Sequence, residues 1–191
     1  MKKTTLAITA AFLMLLGISC QKDETKIEPQ QTPASLYTRV GGSTMVADPN
    51  NPSTMIEKGR LTLRAVVDSS ILIIAADTQM TKFFPTLFME LGSGNTNGLA
   101  ALSKNFTDFM CAATGCKNAS YAYTGLNMKD AHNPAKHSRM GVKASSADFD
   151  KFVGHIGAGL AKNGVTAANN KQLVDDLVAL LYTTKADIVQ Q

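Results

Sequence analysis

Three histidines and three cysteines carry most of the capacity for ligation or thiol chemistry in this 191-residue sequence. A neutral imidazole can offer one ring nitrogen to a metal while the other donates a hydrogen bond to a backbone carbonyl, which fixes tautomer and orientation together. The three rings occupy different settings. His132 ends the segment Tyr123-Thr124-Gly125-Leu126-Asn127-Met128-Lys129-Asp130-Ala131-His132, and His137 lies in the polar stretch Asn133-Pro134-Ala135-Lys136-His137-Ser138-Arg139. His155 sits among Phe152, Val153 and Ile156, and a histidine on an apolar stripe is ordinarily a satisfied core residue. Cys111 and Cys116 are a candidate disulfide in an oxidising compartment, because Thr114-Gly115 can break a helix and bring the two Cα atoms within about 4.4–6.8 Å. The alternative is two free thiols with Cys111 in the core.

Cys20 belongs to a different kind of segment. Residues 1–19 contain Lys2 and Lys3, an apolar run from Leu6 to Leu16, and then Gly17-Ile18-Ser19, the pattern of a secretory signal peptide. Leu16-Gly17-Ile18-Ser19-Cys20 resembles the bacterial lipobox, whose cysteine takes a diacylglycerol and becomes the new N-terminus. An acylated Cys20 would hold the protein on a membrane surface without any spanning segment. Residues 20–34 carry Pro29 and Pro33 and only one large aliphatic side chain, Ile27, so they read as a tether. Gln21-Lys22-Asp23-Glu24 resembles the lysine-acidic tag that sends lipoproteins to the cell surface, although any solvated linker starts with charges. The expected destination is export and lipid anchoring at the cell envelope, in the outer membrane and on its surface.

Residues 35–191 are the length of one domain and hold enough Leu, Ile, Val, Phe and Met for a core. Setting aside Lys2 and Lys3 leaves 17 basic and 15 acidic side chains, a net charge of +2 in place of +4, which gives nucleic-acid binding no electrostatic support. Apolar spacing is helical nearly throughout. Leu99, Leu102, Phe106, Phe109, Met110 and Ala113 form one stripe, and Phe149, Phe152, Val153, Ile156 and Leu160 another. Leu173, Leu177, Leu180 and Leu181 make a third. Ser145-Ser146 supplies an N-cap with Asp148 placed to meet the helix dipole, and Gly164 closes that helix. The stretch Leu63–Ala76 is predicted as helix although Ile71-Leu72-Ile73-Ile74 also suits a strand, because no partner strand is visible. Asp48–Ser53 and Gly92–Gly98 are predicted loops. The expectation is an all-α domain of about five helices with at least two extended connections.

Three features, in this order, resemble the truncated haemoglobins, group I in particular. They are Leu36-Tyr37-Thr38-Arg39-Val40-Gly41-Gly42, then Phe83-Phe84-Pro85, then Tyr123 to His132 followed by Met140-Gly141-Val142. The resemblance runs from Ser35 to Val189, interrupted around Ala47 to Gly59, around Glu90 to Gly98 and at Asn133 to Arg139. It implies a two-over-two helical sandwich around haem, iron protoporphyrin, with His132 as the axial ligand and Phe84 packed on the porphyrin. A large apolar disc needs a slot, and Phe84, Leu102, Phe106, Met128 and Met140 suit one, though the same side chains would serve a plain core. Lys136, His137 and Arg139 are placed to meet haem propionates.

The sequence departs from that family on the distal side. Group I proteins usually carry a tyrosine that hydrogen-bonds bound dioxygen, helped by a glutamine on the helix that closes the pocket. Counting back from Phe83-Phe84 puts Ile71 in the tyrosine's place, and counting back from Gly115 puts Leu102 and Phe106 at the distal positions. A shift of one would offer Asn105. The resemblance implies reversible binding of dioxygen or another diatomic gas, for storage, delivery or sensing. The alternative is a haem enzyme, a nitric oxide dioxygenase or peroxidase-like catalyst with a reductase partner. A third class is haem capture, or a lipoprotein that kept the fold without the cofactor.

Overall fold

The computed structural model describes residues 34–191, so the signal peptide, Cys20 and all of the tether except Ala34 lie outside the described residues. The chain enters at Ser35, whose hydroxyl accepts from the Thr38 N–H and starts a one-turn helix, α1 (Leu36–Arg39). Gly41 (φ 128°) and Gly42 (φ 58°) then turn the backbone through conformations that side chains resist.

The next segment corrects the sequence reading. Asp48–Ser53 is not simply a loop: β1 (Met45–Asp48) and β2 (Asn51–Glu57) form an antiparallel hairpin around Pro49-Asn50, with Val46 opposite Ile56 and Ala47 opposite Met55. Its signal was weak because residues 51–55 are all exposed, so β2 shows no apolar alternation, and Pro52 argues against a strand. The Asp48 side chain accepts from the Asn50 N–H and from the Arg64 guanidinium, which holds its carboxyl at about 2. Ile56 and Glu57 anchor the base. The Glu57 carboxylate, 7 % exposed, accepts from the Tyr37 hydroxyl at 2.7 Å and the Asn118 amide at 2.6 Å.

The helix expected over Leu63–Ala76 starts earlier, as α2 (Lys58–Ala76), and buries Leu63, Val66, Val67, Ser70, Ile71 and Ile74 along one face. Two short helices, α3 (Thr78–Thr81) and α4 (Pro85–Gly92), flank Phe83-Phe84, with Pro85 starting α4. The expected Gly92–Gly98 loop is shorter than predicted, because α5 (Asn97–Thr114) begins at its end. After a single 3₁₀ turn at Ala119–Tyr121 come α6 (Met128–Ala131), α7 (Ser146–Lys162), α8 (Ala167–Tyr182) and α9 (Lys185–Ile188). The α7 start is a full capping box: Ser145 Oγ accepts from the Asp148 N–H and Asp148 Oδ2 from the Ser145 N–H. Gly164 (φ 78°) follows its end.

Four long helices carry the architecture, α2 paired with α5 and α7 with α8, joined where α2 crosses α7. At that crossing a Cβ on Gly159 would stand 2.1 Å from Ser70 Oγ, and Ser70 turns its hydroxyl onto the Val66 carbonyl at 2.7 Å. Glycine there lets the backbones meet at van der Waals distance. Phe149, Leu63, Met110 and Leu177 fill the centre.

Cys111 and Cys116 stand as free thiols, which corrects the disulfide expectation. Gly115 in the left-handed region (φ 96°) does end α5 and seats the Cys116 N–H on the Cys111 carbonyl at 2.9 Å. Cys111 nevertheless packs wholly inside, where burial pushes its thiol up to about 12.

Candidate functional site

A cavity of about 440 Å³ opens beside the α2–α5 pair. One wall comes from α2 and α5: Ile71 and Ile74, then Leu102, Asn105 and Phe106. Ile71 and Ile74, like Leu102 and Phe106, are spaced at three or four residues on an apolar stripe, so the face that packs the core continues as the cavity lining, with Asn105 at the edge of its stripe. A second group of lining residues is Met128 and His132 from the α6 region, then His137, Arg139 and Met140. Phe83, Phe84, Leu87 and Phe88 contribute as well. So do Phe152, Leu181 and Ile188, with Phe106 and Phe152 ring centroids 5.9 Å apart.

All of the residues singled out from the sequence for a slot, Phe84, Leu102, Phe106, Met128, His132 and Met140, meet in this cavity, as does Ile71. Asn105 lines it as well, so the alternative register contributes a polar side chain beside Leu102 and Phe106 rather than replacing them. Sequence reasoning missed Leu87, Phe88, Tyr123, Leu181 and Ile188. Tyr123 had a signal in the motif itself: its ring packs edge-on to Phe109, and its hydroxyl donates to the Leu126 carbonyl at 2.6 Å.

His132 is built from local sequence. Asn127 caps α6 by accepting from the Asp130 N–H at 2.9 Å, and the helix ends after one turn with His132 at its C-cap. There His132 Nδ1 lies 2.8 Å from the Met128 carbonyl oxygen. A carbonyl only accepts, so Nδ1 carries the proton and Nε2 keeps the lone pair. Burial pushes the His132 pKa below its ordinary value, the Met128 bond works the other way, and neighbouring His137 adds to the lowering. The result is a neutral imidazole with a fixed tautomer at an apolar cavity.

The other rings divide. His137 Nδ1 lies 2.9 Å from the Ala131 carbonyl, so His137 shares the tautomer of His132 and lines the same cavity. His155 lies outside the lining, with Nε2 2.8 Å from Asp77, whose carboxylate also takes Lys151 at 2.7 Å. Of the cations expected to meet propionates, Arg139 is engaged by Glu90 and Lys136 is exposed outside the lining.

Gly141 follows Met140 where the chain passes close to the Phe83-Phe84 turn. A Cβ there would lie 2.1 Å from the Lys82 carbonyl oxygen and 2.8 Å from Pro85, while the Gly141 N–H donates to the Phe83 carbonyl at 3.1 Å. Only glycine lets the chain pass the Phe83-Phe84 turn and seat Met140 in the cavity.

No family model and no curated protein matches the chain. Among solved structures it is similar to a tyrosine-to-phenylalanine mutant of the truncated haemoglobin from Tetrahymena pyriformis in its Fe(III) form. The TM-score is 0.55 at 21 % identity, over 83 % of this chain and 100 % of that one. The likeness and the helix arrangement together define the class: the chain has the all-α fold of the truncated globins.

Proposed function

We propose that this cavity holds haem, with His132 Nε2 as the axial ligand, and that the protein reversibly binds dioxygen or another diatomic gas. One observation carries the reading: a part-buried, neutral imidazole lines a mostly apolar cavity, with its Nδ1–H fixed on the Met128 carbonyl so that Nε2 keeps the lone pair. That donor suits iron held in a porphyrin, because the backbone acceptor sets the tautomer and raises ligand basicity. The size and lining are those of a cofactor site, apolar walls with a few placed polar groups. When bound, the group supplies an iron that takes the gas. Phe84, Met128 and Met140 would pack its faces and exclude water.

Asn105 is the distal side chain of this proposal. Its amide can donate to a partly negative ligand, whereas Ile71, Leu102 and Phe106 cannot. An amide is neither an acid nor a base near neutral pH, so Asn105 itself suits a hydrogen bond to bound gas rather than proton transfer. The test is titration of the full chain with ferric haem. One-to-one uptake with a sharp Soret band and, after reduction, an iron–histidine vibration are expected; titration without saturation would end the proposal.

The same protein is proposed to sit at the cell envelope through a lipid on Cys20. No helix among the described residues is long and apolar enough to cross a membrane. Cys20→Ser should move the protein from the membrane to the soluble fraction with its haem spectrum unchanged. Equal palmitate labelling of the variant and the parent would refute the anchor.

A further inference from the structure

The residues between His132 and Met140 form an ordered turn rather than a loose loop. The Lys136 and His137 N–H groups both donate to the Asn133 carbonyl at 2.9 and 2.8 Å, and the Met140 N–H donates to the His137 carbonyl at 2.9 Å. From this turn Arg139 reaches α4 and pairs bidentately with Glu90, Nη1 to Oε1 at 2.8 Å and Nη2 to Oε2 at 2.6 Å. The pair lies directly over Gly98 in the first turn of α5, where a Cβ would stand 1.9 Å from Glu90 Oε2 and 2.4 Å from Arg139 Nη2. Gly98, His137 and Arg139 all line the cavity. Three segments remote in sequence therefore meet at one edge of it. With Arg139 41 % and Glu90 22 % exposed, that edge faces solvent. Arg139 also holds the Glu90 carboxyl below its ordinary range, so the pair stays charged as the pH falls into that range.

We propose that the Arg139–Glu90 pair, seated on Gly98, is a clasp that holds the 133–139 turn across the cavity mouth and sets how fast the occupant leaves. The inference rests on the haem reading for the identity of that occupant. Arg139 and Glu90 are positioning residues here, acting through the turn that carries His137 and leads into Met140. A bidentate guanidinium–carboxylate pair suits the task because its two parallel hydrogen bonds fix an orientation as well as a distance. Glycine at position 98 leaves room for this geometry, because a side chain there would push the two charged groups from their seat.

The test is haem transfer from the loaded full chain to excess apomyoglobin. Glu90→Gln and Arg139→Gln should each raise the transfer rate roughly three- to tenfold, the range for a part-exposed but bidentate pair. The double variant should be no faster than either single one, and Glu90→Arg combined with Arg139→Glu should recover most of the original rate. Gly98→Ala, which keeps both charges but takes their seat, should match the single variants. The parent's rate should rise with salt while that of Glu90→Gln stays flat. A generally structural role would instead lower the thermal midpoint of the haem-free chain and leave the salt response unchanged. Equal transfer rates in the parent and Glu90→Gln, or fully additive single effects, would overturn the clasp. If the parent takes up no haem, the haem reading fails by itself. The clasp is then judged by amide hydrogen exchange at Lys136, His137 and Met140: faster exchange in Glu90→Gln supports it, and unchanged exchange refutes it.

Discussion

The wall of the cavity built by α2 and α5 presents Ile71, Leu102 and Phe106 with a single amide, Asn105, whereas the wall at the end of α6 presents two imidazoles with fixed tautomers. The difference originates in the backbone. Both α2 and α5 run on for several turns, and of their side chains that line the cavity only Asn105 is polar. The one-turn α6 ends here: the Met128 carbonyl takes the His132 N–H at 3.3 Å and also the His132 ring, and the Ala131 carbonyl meets the His137 ring. A long helix supplies surface, and a helix end supplies orientation.

Removing the oriented ring should have the largest effect. His132→Gly is expected to lose stable haem, with the Soret band and haem retention recovering on addition of imidazole. If haem stays bound with an unchanged spectrum, the two walls do not divide the work as described.

The α2–α5 wall should govern ligand choice instead. A hydrogen bond to a partly charged acceptor is worth about 1.5–3 kcal/mol, so Asn105→Leu should speed oxygen dissociation roughly ten- to a hundredfold. Carbon monoxide, which carries less charge, should respond much less. Ile71→Tyr should slow oxygen release by adding a second donor. Identical oxygen kinetics in the parent and Asn105→Leu would mean that the amide does not reach the ligand.

Behind the His132 wall, Asp148 caps α7, and Lys82 ties it to the turn that carries Phe83-Phe84. The Ser145 hydroxyl and N–H, with help from Lys82, hold the Asp148 carboxyl at about 2. In the unfolded chain it titrates near about 3.9, so its contribution is complete above that value and is lost as the pH falls through about 2. Asp148→Asn should cost about 1 kcal/mol at neutral pH and should differ less from the parent at pH 2, by denaturant unfolding followed by circular dichroism. A difference that is the same at both pH values would mean that the carboxylate charge is not responsible.

The smallest effect is expected at the end of the α5 wall. Cys116, which is partly exposed, should alkylate in the folded protein, and Cys111 should not until the chain unfolds, with haem retention unaffected. Protection of both thiols until a reductant is added would restore the disulfide.

Much of this protein was legible before folding because it depends on neighbours in the chain. The stripes through Leu102 and Phe106 or Phe149 and Ile156, the Ser145–Asp148 cap and the close of α7 at Gly164 all follow from spacing and local hydrogen bonds. The segment ending at His132 carries its own orienting carbonyl four residues back. What only the tertiary structure decided are the contacts whose partners lie far away in sequence. β2 is held by Glu57 meeting Tyr37 and Asn118, and Arg139 by Glu90 over Gly98. Asn105 faces the cavity because α5 lies at a particular rotation against α2, a packing choice that an apolar stripe about 100° wide leaves open at its edges.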